Sequence, residues 1–158
     1  MSSVAPHRAD AEVAQYRHGR VPRAVRERQV IGAAEDLFAE QGFAAASMDE
    51  LSRRVGVSKP VVYALVGSKE ALFRRCVERM SATLAQRVTE AVASADGPRA
   101  QMEAATLAFF RFVAERPRLW EVLAFDTGPF SADVAAIRRN QNLLVAGLLV
   151  AEIGRAHV

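Results

Sequence analysis

The sequence predicts an all-α protein, and three observations carry that expectation. Alanine supplies 30 of the 158 residues while aromatics make up 7%, so helix formers dominate and strand-forming material is thin. Apolar residues recur at three- and four-residue spacing through successive segments, with no alternating strand-period run, internal repeat or low-complexity tract. Serines and glycines stand at the segment boundaries, where helix caps and stops are needed.

Taken in order, residues 1–22 lack apolar periodicity and contain Pro6, Gly19 and Pro22, which reads as a flexible basic arm offering Arg8, Arg17 and Arg20. Val25, Val30, Ala33, Ala34, Leu37, Phe38 and Gln41 then share one side of a helix over about 24–41, which Gly42 ends as a C-terminal glycine. Phe43 tucks back into the core. Ser47-Met48-Asp49-Glu50 reads as a capping box, with the serine hydroxyl on the third amide and the glutamate returning to the cap amide. It opens a short helix, about 48–55, with Met48, Leu51 and Val55 inward; Gly56 stops it, and Val57 plugs the angle that follows. Ser58 caps the next helix, Pro60 sits in its first turn, Val62 with Leu65 or Val66 faces inward, and Gly67 closes it. Ser68 caps a long helix with Leu72, Phe73, Val77, Met80, Leu84, Val88 and Val92 down one side. After Asp96-Gly97-Pro98 come helices over about 99–115, with Met102, Ala105, Phe109, Phe112 and Val113 inward, and about 117–125, then a loop and a last helix from Ser131 to about Ala151.

Charge and cysteine content narrow the function classes. The net charge is +3, all of it in residues 1–80, which carry 13 basic and 10 acidic side chains; residues 81–158 carry 8 of each. A basic half joined to a neutral half suits one end that meets a polyanion and another with a different task. Cys76 is the single cysteine, so no internal disulfide or thiolate metal site is expected, and helical spacing makes it a core thiol. His7, His18 and His157 fall in tails, so no metal or other cofactor is expected. The longest apolar run, Leu143–Ala151, is nine residues against the ~20 of a membrane span, so a soluble, cytoplasmic chain is expected. Phosphate-loop, nucleophile-elbow and zinc-helix motifs are missing from the sequence, which argues against an enzyme.

A helix, a short helix, a tight glycine turn and another short helix have the spacing of a helix-turn-helix. A short second helix fixes the third at a steep angle, so that it stands out and fits a major groove ~12 Å wide, its N-terminal residues meeting base edges. Four linked segments deepen this reading: Ala34-x-x-Leu37-Phe38-x-x-x-Gly42-Phe43, Ser47-x-x-x-Leu51, Val55-Gly56-Val57-Ser58-Lys59-Pro60-x-Val62-Tyr63 and Gly67-Ser68-Lys69-Glu70-x-Leu72. In these the chain resembles the TetR family of transcriptional repressors, closely over about residues 24–75 and beyond them only in being helical.

The resemblance implies a DNA-binding part at 23–70 and an effector-binding and dimerisation part at 71–151. It implies that Ser47 contacts phosphate, that Lys59, Pro60 and Val61 read bases with Ser58 and Ala64 on the same surface, that Tyr63 reaches phosphate or a base, and that Lys69 anchors phosphate. Leu65 and Val66 depart from the family, which often has His or Tyr and then Phe there; one backbone contact is lost and the plug under the helix is smaller. Arg53-Arg54 and Arg74-Arg75 are either solvated faces or part of the electrostatic footprint. The family further implies a homodimer on a palindromic operator, its two reading helices ~34 Å apart, released by a small apolar or amphipathic effector.

Met102, Phe109, Phe112, Trp120 and Phe125 are the candidates to line the effector cavity that the resemblance implies, though the residues alone favour plain core packing for each. Two further readings stay open: a helical protein-interaction module without DNA binding, and a small helical enzyme in residues 97–151. Family members close their dimer with two more long helices, whereas here the sequence after Ala151 loses helical logic. Residues 152–158 are therefore expected to be a non-native tail from a truncated reading frame, with an apolar face around Leu143–Val150 left unpaired.

Overall fold

The fold comes from a computed structural model that describes residues 8–16, 20–125, 135, 136 and 139. Seven helices follow one another among these: α1 (Arg8–Ala14), α2 (Arg23–Ala45), α3 (Met48–Val55), α4 (Lys59–Val66), α5 (Lys69–Ala93), α6 (Pro98–Glu115) and α7 (Pro117–Phe125). The chain divides into two compact units, Met1–Cys76 and Val77–Val158, and α5 carries residues of both. The helix expected from Ser131 to Ala151, the loop before it and the tail at 152–158 lie outside the described residues, apart from isolated positions.

In the first unit, α2 supplies the floor. Val30, Ala34, Leu37 and Phe38 are buried along one side of it, against Met48, Leu51 and Val55 of α3, Val62 and Val66 of α4, and Leu72, Phe73 and Cys76 of α5. Phe38, Phe43 and Phe73 form the aromatic centre, with ring centroids 5.1–5.9 Å apart and Phe73 edge-on to the other two. Cys76 is fully buried, as its helical spacing predicts.

The helix read as ending at Gly42 runs on to Ala45 across a break at that residue, whose φ of 74° and ψ of 172° are non-helical. The left-handed φ interrupts the ladder, as a terminal glycine does, and the chain then makes one more turn that brings Phe43 into the core. A second difference lies at the start. Residues 8–14, read as part of a flexible arm, form α1. Its alanines and Glu12 favour helix without an apolar stripe, and the Glu12 carboxylate accepts from the Arg28 guanidinium of α2, a contact sixteen residues away in sequence.

In the second unit, α6 and α7 pack together with Ala105, Leu119 and Leu123 buried. Gly97-Pro98 starts α6 with its proline in the first turn, where a missing amide costs little. Among the described residues no helix is long and apolar enough to cross a membrane.

Candidate nucleic-acid interface

The interface is assembled from the α3 turn α4 segment. Ser47 caps α3, its Oγ accepting from the Asp49 amide at 3.2 Å. The predicted capping box is only half formed. The serine bonds the second amide, not the third, and the Glu50 carboxylate is taken by Arg54 at 3.0 Å and by Arg53. Two guanidiniums within one turn offer charge-assisted bonds stronger than a neutral amide can.

The α3 end is a complete left-handed cap. Gly56 sits at φ 68°, ψ 31°, its N–H donates to Arg53, and the Val57 N–H donates to the Ser52 carbonyl at 3.2 Å. This pair of bonds fixes the angle at which the chain leaves for α4, so Val57, read as a plug, is only half-buried and hydrogen bonding does the fixing. Ser58 takes the cap position of α4, but its hydroxyl makes no capping bond. Pro60 removes one first-turn amide that it would otherwise satisfy.

Helix α4 is split cleanly by exposure. Val62 and Val66 are buried at 0% and 4%, while Val61 and Tyr63 are 43% and 42% exposed. Ser58, Lys59, Pro60 and Ala64 are exposed with them, and Ser47 is exposed at the start of α3. The candidates on α4 therefore share the outward surface. Its first residue, Lys59, reaches back to α3, its Nζ lying 2.9 and 3.0 Å from the two Asp49 carboxylate oxygens. That hydrogen bond and charge raise the Lys59 ammonium above its ordinary range.

Lys69 has partners within the chain. Its Nζ donates to the Ala44 carbonyl at 3.1 Å and lies 4.7 Å from the centroid of Phe43, tying the start of α5 to the end of α2. Beside it Ser68 Oγ accepts from the Ala71 amide at 3.1 Å, the N-cap that the sequence predicts. The Glu70 carboxyl is held below its ordinary range, first by a hydrogen bond from its own backbone amide and then by the Ser68 hydroxyl.

Three arginines also hold this surface in place, of which the sequence reading misses Arg23 and leaves Arg54 and Arg75 between a solvated face and the electrostatic footprint. Arg23 donates to the Ala64 carbonyl at 3.0 Å and Arg75 to the Leu65 carbonyl at 3.2 Å, so two cations serve the C-terminal carbonyls of α4. Arg54 clasps Glu40 through two bonds of 3.0 and 2.6 Å and so joins α3 to α2. The Arg23 bond spans 41 residues and the Arg54–Glu40 pair 14, so no local spacing marks them.

The Arg54 hydrogen bond, outweighing partial burial, lowers the Glu40 carboxyl from 4.5. A carboxyl depressed in the folded state adds stability that is present above its unfolded value and lost as pH falls through the folded one. Stability should therefore decline below about pH 4.5, and Glu40→Gln should flatten that decline. Because Glu40 is 45% exposed, the difference at neutral pH should be at most about 1 kcal/mol in urea melts.

In the second unit Phe109, Phe112 and Trp120 meet as an edge-to-face cluster, Trp120 lying 5.5 Å from Phe109 and 6.3 Å from Phe112. All three are half-buried, as is Met102 two turns earlier on α6; nothing is described of the Phe125 side chain. Arg87 of α5 stacks over Phe112 at 5.3 Å and pairs with Glu115 at 2.6 Å.

Residues 30–76 match the family model described as bacterial regulatory proteins, tetR family. A solved TetR-like transcriptional regulator from Rhodococcus sp. RHA1 is 31% identical with a TM-score of 0.70, covering 87% of this chain and 76% of that one. The HTH-type transcriptional activator FasR of Mycolicibacterium smegmatis is 38% identical over 97 residues, 61% of this chain and 44% of that protein. The HTH-type transcriptional repressor BdcR of Escherichia coli is 39% identical over 62 residues, 39% of this chain and 32% of that protein. The chain thus matches less than half the length of either curated relative.

Proposed function

The chain belongs to the TetR family of bacterial regulatory proteins, and from that premise we propose that it is a sequence-specific DNA-binding transcriptional regulator of the cytoplasm, not an enzyme. The observation that carries this is the exposure split of α4: Val62 and Val66 are anchored in the core while Lys59, Pro60, Val61, Tyr63 and Ala64 are presented outward. A short helix so held, with its far carbonyls tied by Arg23 and Arg75, is ordered before it meets DNA. A pre-ordered helix loses little entropy on entering the major groove.

In this reading Lys59, Pro60 and Val61 contact base edges, and Ser47, Ser58, Tyr63 and Ala64 flank them toward phosphate and sugar. Lys69 has two protons left beyond its bond to Ala44 and turns them to phosphate. The functional unit is a homodimer on a palindromic operator, its reading helices about 34 Å apart. A small apolar or amphipathic effector binds near Met102, Phe109, Phe112, Trp120 and Phe125 and acts through α5, which has residues in both units. Such an effector must bind two states unequally to shift their populations. Bound effector lowers operator affinity, which makes the protein a ligand-released repressor. The name of its FasR relative favours activation as a second reading; a reporter that falls or rises on expression of the protein separates the two.

Base readers and phosphate anchors respond differently to substitution. Lys69→Ala should weaken binding to every duplex and reduce the salt slope by about 0.9. Lys59→Ala should change which sequences are preferred, by about 1–3 kcal/mol at the position it reads. Fluorescence anisotropy against selected and scrambled duplexes over a salt series checks both. The same sequence-independent loss from each substitution would defeat the role assignment.

A further inference from the structure

We propose that Asp49 is a specificity-determining residue of the DNA-reading surface, acting by holding the ammonium of Lys59 toward a base edge and away from phosphate. The inference rests on the DNA-binding reading and goes beyond it, because Asp49 belongs to no group expected to touch DNA.

The observation is a contact between the two helices of the motif. Asp49 stands in the first turn of α3 and Lys59 is the first residue of α4, ten positions later, with Nζ equidistant from both carboxylate oxygens at 2.9 and 3.0 Å. Both residues line one open cleft with Ser52, Arg53, Gly56 and Ser58. The dipole of α3 accounts for an acidic residue near its start, but Glu50 already supplies one. It does not account for a carboxylate that clasps the leading cation of the neighbouring helix.

The pair is exposed, at 65% for Asp49 and 47% for Lys59, so its effect is small. Its consequence differs between two kinds of DNA. On an arbitrary sequence Lys59 finds only phosphate. Asp49 neutralises part of its charge and competes with phosphate for it, so binding is weakened. On a sequence that offers acceptors such as guanine O6 and N7, Lys59 stays on Asp49 and turns its remaining donor to the base edge, so nothing is lost there. The carboxylate therefore subtracts from affinity for arbitrary DNA and spares the correct site, which is how an element set against wrong partners creates discrimination.

The test uses the full chain and a pool of randomised duplexes about three helical turns long, from which the wild type selects its preferred sequence. Affinities for that duplex and for a scrambled one are then measured for wild type, Asp49→Asn, Lys59→Gln and the double variant. Asp49→Asn should tighten binding to the scrambled duplex about fivefold, tighten the selected duplex less than twofold, and steepen the scrambled-duplex salt slope by about 0.9 as Lys59 is freed. In the Lys59→Gln background the slope change should vanish. An unchanged preference ratio in Asp49→Asn, or a slope change that persists without Lys59, would overturn the proposal while leaving DNA binding intact. A wild-type chain that retains no duplex at low salt would overturn the DNA-binding reading itself, and the proposal with it.

Discussion

Val62→Asp should unfold the first unit, while Val61→Asp, one residue earlier, should leave it folded and unable to hold DNA. The two positions are neighbours on α4, yet Val62 is 0% exposed and Val61 is 43% exposed. A carboxylate at 62 is buried among apolar groups without a partner, and the cost is on the order of 4 kcal/mol. That is a large part of the stability of a domain this size. A carboxylate at 61 stays in water and should change stability by no more than about 0.5 kcal/mol. On the surface proposed to face the groove, however, it would oppose phosphate, and juxtaposed like charges cost several kcal/mol, so affinity should fall about a hundredfold or more. Thermal melts by circular dichroism read the first effect and fluorescence anisotropy the second. Equal loss of fold in both variants would mean that α4 presents no free outer surface.

Phe73→Ala should cost about 3–5 kcal/mol. Phe73 is fully buried and stands edge-on to Phe38 at 5.2 Å and to Phe43 at 5.1 Å, so truncation opens a cavity and removes two oriented ring pairs. The same cluster carries Lys69 over the Phe43 ring, so its collapse also loosens the tie between the start of α5 and the end of α2. The melting temperature should fall by about 10 °C. Phe73→Leu keeps most of the volume and should recover more than half of the loss.

The parts of this arrangement that could be read from the chain are those set by neighbours in sequence. Gly56, Gly67, Ser47 and Ser68 mark their helix ends because a left-handed turn or an amide-accepting hydroxyl is a local requirement. Helical spacing placed Val62 inward for the same reason and left Leu65 or Val66 as its companion, of which the structure buries Val66. What stayed hidden is set by distant residues. Arg23 on Ala64, Arg75 on Leu65, Arg54 on Glu40 and Asp49 on Lys59 each join separate elements, and a lone charged residue looks the same whether it meets water or a carbonyl. Lys69 is a further case: the resemblance implies a phosphate anchor, and its bond to Ala44 becomes visible only once α2 and α5 are brought together. Helix α1 escaped because it docks through the Glu12–Arg28 pair and carries no apolar stripe to betray it. The full capping box failed for a related reason: Arg53 and Arg54 compete for Glu50 from within the same helix.

The central claim is that the outward surface of α4 lies in the major groove, and methylation interference tests it most directly. A selected duplex is sparingly methylated, at guanine N7 in the major groove and adenine N3 in the minor groove, and the protein-bound fraction is separated from the free. The account predicts that N7-methylated guanines are excluded from the bound fraction at two clusters about one helical turn apart. Exclusion confined to N3-methylated adenines, or no exclusion at all from a bound fraction that forms, would contradict it.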